Sequence, residues 1–187
     1  SILLPELHEI EIADLLRGTK TNLEVTMLAF GVLAWRDLTS FTSTAWVLHH
    51  SRFVDLIAVL ECVLAVAAVP GHPVNADWLN WWLGSCPQLN RDAIWTEALK
   101  QAWEQRGAAH QLVVIARGQD LTHLSTKSAL LLGIALAWFT GSADLLIRDE
   151  ASDALNRLLG AQPISGELLR HFILCDDDFM RVRVLDS

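Results

Sequence analysis

Apolar residues along this chain recur every three or four positions, and strict alternation is almost absent, so the pattern predicts one helix after another. The spacing places helices over 5–17, 22–35, 42–50, 53–69, 76–85, 90–106, 108–118, 124–140, 147–160, 164–174 and 177–185. The stretch DLLIRDEASDALNRLLG, residues 144–160, shows how the pattern is read. Ile147, Ala151, Ala154, Leu155, Leu158 and Leu159 form one apolar stripe. Asp149 and Glu150 are expected in the first turn, where the helix dipole favours anions. The preceding SALLLGIALAWFTG is apolar nearly all round, as suits a helix covered on several sides.

The stops have mechanisms. Gly18, Gly107, Gly118, Gly141 and Gly160 are expected to end helices by taking the left-handed conformation. Pro70, Pro73, Pro87 and Pro163 cannot continue a helix interior, and Asn75, Asn90 and Ser165 are suited to N-caps. Connections are short and no linker divides the chain, so residues 1–187 are expected to be a single helical domain. The stretch NRDAIWTEALKQAWEQ echoes 144–160: Arg91-Asp92 matches Arg148-Asp149 near a helix start, with an Ala-Leu pair later, offset by one residue. A degenerate repeat of this kind predicts an all-α fold of HEAT-like helical hairpins stacked as a short α-solenoid.

Composition narrows the picture. Hydrophobic residues make up 52% of the chain and the mean hydropathy is +0.31, which suits either a membrane protein or helices buried on most faces. The apolar runs Val63–Val69 and Ala129–Thr140 fall short of the roughly 20 residues a spanning helix needs, so no membrane partner is expected. A net charge of −8 disfavours phosphate backbones, and no nucleic-acid partner is expected either. Cys62, Cys86 and Cys175 are scattered and odd in number, which points to a reducing, cytoplasmic setting. The chain begins with Ser and ends inside a predicted helix, as expected of a piece of a larger multidomain protein.

Candidate chemistry is sparse. RGTKT at 17–21 lacks the glycine and lysine spacing of a phosphate-binding loop and reads as a turn. His49 and His50 sit about 100° apart on a predicted helix, which prevents joint metal ligation. The acidic CDDDF at 175–179 has no EF-hand spacing. GHPVNAD at 71–77 gathers His72, Asn75 and Asp77, which suit a general base or a metal. The same residues equally suit a proline-stiffened loop capping the next helix. Trp78, Trp81 and Trp82 share one predicted helix; Trp81 and Trp82 cannot both face one core line, and the expectation is that both bury between neighbouring hairpins. An exposed member would suit a protein interface. No cofactor, catalytic residue or metal ligand is expected.

Several stretches together resemble the helical repeat region of bacterial STAND-type NTPases, including antiviral Avs-type defence proteins. They are FGVLAWRD (30–37), PGHPVNADWLNWWL (70–83), RDAIWTEAL (91–99), LAWFTGSADLLIRDEASDALNRLL (136–159) and DDDFMRVRVL (176–185). The last departs from the pattern, because Arg181-Val182-Arg183 replaces an acidic-basic pair. The resemblance implies scaffold or interaction roles for Trp35, Arg36, His72, Asn75, Asp77, Arg91, Asp92, Trp95, Trp138, Arg148 and Asp149. It also implies a non-catalytic segment that packs on neighbouring domains of its parent chain and senses a foreign protein such as a phage component. Two other readings stand beside it: a free-standing helical adaptor, and a small all-α enzyme using His72 and Asp77.

Overall fold

The computed structural model describes residues 56–172 apart from Pro73. The helices predicted before and after this span, with Trp35, Arg36, His49, His50 and the CDDDF stretch, lie outside the described residues. Within it the fold is all-α: α1 (Leu56–Ala65), α2 (Ala76–Ser85), α3 (Gln88–Glu104), α4 (Ala108–Gly118), a 3-10 turn (Leu121–His123), α5 (Thr126–Thr140), α6 (Leu145–Ala161) and α7 (Ser165–Phe172). No described helix is long and apolar enough to cross a membrane.

α5 organises the packing. It lies against α2, α4, α6 and α7, and every residue from Ala129 to Thr140 is buried. This explains its uninterrupted apolar sequence, because a helix with neighbours on all sides has no face for polar residues. Gly133 faces α7 and the residue before it: a Cβ there would lie 3.3 Å from the Ile164 Cδ1 and 3.5 Å from Leu168. Away from α5, α1 packs on α3 and α4, and α4 packs on α6. α6 buries the predicted stripe of Ile147, Ala151, Ala154, Leu155 and Leu158.

Several helix ends differ from their sequence expectations. α1 stops at Ala65, not 69, because Val66 and Ala67 turn tightly onto the carbonyls of Val63 and Leu64. α3 starts at Gln88 with Pro87 at the N-cap position, so Asn90 is helical and not a cap. α6 starts at Leu145, two residues early, because the Asp144 carboxylate accepts from the amides of Leu146 and Ile147 at 3.0 and 3.3 Å. Asp149 and Glu150 therefore lie beyond its first turn. Ser165 is the first residue of α7 and not its cap.

The glycine stops work differently from expectation. Gly118 and Gly160 are helical, and Gly141 ends α5 at φ −78°. The left-handed residue that ends α3 is Arg106, at φ 54°. Its amide bonds the Trp103 carbonyl at 2.9 Å and the Gly107 amide bonds that of Ala102 at 3.1 Å. These two bonds make a Schellman motif with arginine in the place glycine usually takes. Gly107 serves another purpose. It is the N-cap residue of α4, and Glu61 of α1 reaches across so that its Oε2 accepts from the Ala108 amide at 2.6 Å. A Cβ on residue 107 would overlap that carboxylate. A side chain 47 positions away thus satisfies a helix terminus that its own loop leaves open.

Candidate functional site

The candidate residues within the described span divide into three groups. The first is the loop before α2. His72 is buried, and its Nδ1 accepts from the Val74 amide at 3.3 Å. Asn75 caps α2: its Oδ1 accepts from the Asp77 amide at 3.0 Å and its Nδ2 donates to the Val69 carbonyl at 3.2 Å. Asp77 occupies the first turn and pairs with Lys127 at 3.1 Å, tying the start of α2 to the start of α5. These contacts match the capping-loop reading of GHPVNAD. Among the described residues no group of three His, Cys, Asp or Glu side chains is placed to hold a metal ion.

The second group is a buried girdle joining α2, α3, α5 and α7. The Trp138 indole N–H donates to Asn80 Oδ1 at 2.9 Å, and the Trp95 indole N–H donates to the Trp138 carbonyl at 3.1 Å. Trp138 meets Phe172 with ring centroids 5.7 Å apart, and Trp95 meets Phe139 at 6.0 Å. Arg91, only 4% exposed, lies with its guanidinium 5.5 Å from the Trp138 ring centroid. Its Nε donates to Asp92 at 3.3 Å. Burying a guanidinium is tolerable where a ring face and hydrogen bonds replace water. Arg148 makes the same contact with Asp149, at 3.4 Å, on the more exposed side of α6. Both Arg-Asp pairs occupy the fourth and fifth positions of 17-residue helices. The sequence echo is therefore an echo in helical register as well.

The third group is the tryptophan face of α2. Trp78 and Trp82 stack in parallel, with centroids 5.8 Å apart and an interplanar angle of 4°. They wall a narrow apolar crevice of about 10 Å³ together with Val59, Leu60, Val63 and Trp95. Trp81 points away and is 63% exposed. The expectation that Trp81 and Trp82 both bury fails for Trp81. Residues 81 and 82 are about 100° apart on a helix, so packing Trp82 beside α1 and α3 turns Trp81 to solvent.

Asn80, Glu61, Lys127 and Gln162 hold the arrangement together and were not singled out by sequence reasoning. Gln162 is buried and donates to the Leu121 carbonyl at 2.6 Å, pinning the α6–α7 loop to the 3-10 turn. Only Glu61 carried a signal, as a carboxylate beside the apolar run that begins at Val63. Its neighbour Cys62 is half-buried, and burial, then the Glu61 charge, pushes its thiol up. The 3-10 turn is capped locally: the Asp120 carboxylate accepts from the hydroxyl and amide of Thr122, which hold it below the usual carboxylate range.

No family model, curated protein or solved structure matches this chain.

Proposed function

We propose that this chain is a non-catalytic protein-interaction segment, built from HEAT-like hairpins within a larger STAND-type NTPase, that binds a foreign protein and transmits the event to its parent. The observation that carries the reading is Trp81. A tryptophan left 63% exposed beside two packed tryptophans suits an interface anchor. The matching register of the two Arg-Asp helices supports a repeat origin. The polar residues of the loop before α2 are engaged in capping and pairing contacts, which favours a scaffold role for them over catalysis. In this reading the partners are neighbouring domains of the parent and a phage protein, and the compartment is the cytoplasm.

The test has two parts. The complete gene is sequenced for a GxxxxGK[ST] loop upstream of Ser1, as the family demands. A reading frame that opens within a few residues of Ser1 and closes near Ser187 would overturn the STAND assignment and leave the adaptor reading. In the full-length protein, Trp81→Ser should keep the unfolding midpoint and abolish phage protection. Full protection with that variant would remove Trp81 as the anchor.

A further inference from the structure

We draw no further inference here: the strongest candidate, the open groove between α4 and α6 lined by Val114, Arg117, Gly118, Asp153 and Arg157, contains no buried polar side chain, and nothing in the structure shows what covers it.

Discussion

The contact between Glu61 and the start of α4 gives the sharpest test of how this fold is held. In Gly107→Ala the new Cβ would displace the Glu61 carboxylate from the Ala108 amide. A charge-assisted hydrogen bond of this kind contributes about 1.5–3 kcal/mol. The other Glu61 oxygen is buried without a hydrogen bond, which offsets about 1 kcal/mol or more of that. Gly107→Ala should therefore destabilise by about 1–2 kcal/mol, and Glu61→Ala by about 1 kcal/mol. Once Glu61 is gone, adding Gly107→Ala should change almost nothing. φ at 107 is −75°, which alanine accepts. The poorer N-cap quality of alanine and the reduced freedom of its unfolded chain roughly cancel. Urea unfolding of the wild type, both single variants and the double variant reads the coupling directly, and about 1–2 kcal/mol is expected. If Gly107→Ala costs the same in both backgrounds, to within about 0.5 kcal/mol, the glycine is not there to admit the carboxylate and the reasoning fails.

Further outcomes follow from the same geometry. Arg106→Gly should raise stability by about 0.5–1 kcal/mol, since glycine takes the left-handed position without the steric cost of a Cβ; a drop in the urea midpoint would show that the arginine side chain has a role of its own. Trp138→Phe strips Asn80 of its donor and leaves the girdle underfilled, so a loss of about 2–4 kcal/mol is expected by the same assay. The raised Cys62 thiol gives a pH dependence with a definite sign. Above its ordinary value of 9.0 the unfolded chain releases a proton that the folded chain still holds, so stability should fall as pH rises past about 9. Cys62→Ala should flatten that part of the profile, and an unchanged slope would place its cause elsewhere. Its alkylation below pH 9 should also be slower in the folded protein than in urea.

How much of this was legible in the sequence depends on the range of the interaction. α2 and α4 match their predicted limits, because apolar spacing and local punctuation such as Asn75 set them. α6 begins two residues before the apolar stripe predicts, because Leu145 and Leu146, both exposed, break the stripe that marks a helix, while Asp144 caps in front of them. At Gly107 the local pattern points to the wrong physics. A glycine after a helix suggests a left-handed stop, but here the arginine before it takes that conformation and the glycine makes room for a carboxylate 46 residues upstream. No local pattern encodes such a meeting. The same holds for the girdle: Trp95, Trp138 and Arg91 stand out by type, but Asn80 becomes meaningful only once α2 lies against α5. Trp81 illustrates the converse. The angle between adjacent helical residues shows that one of the pair 81 and 82 must turn outward, but only the placement of α1 and α3 decides which.

The central position of α5 also bears on how the chain comes off the ribosome. α2 is complete at Ser85, yet the indole that engages its Asn80 belongs to Trp138, about fifty residues later. At typical elongation rates of about 5–20 residues per second, the α5-facing side of α2 waits roughly 3–10 s for its partner. During that interval the nascent protein displays Asn80 and Trp95 without their α5 partners, Trp138 and Phe139, and a slow codon cluster between α2 and α5 would lengthen the display. Yield in cells should then respond to translation speed and holding chaperones even where the finished fold is unaltered.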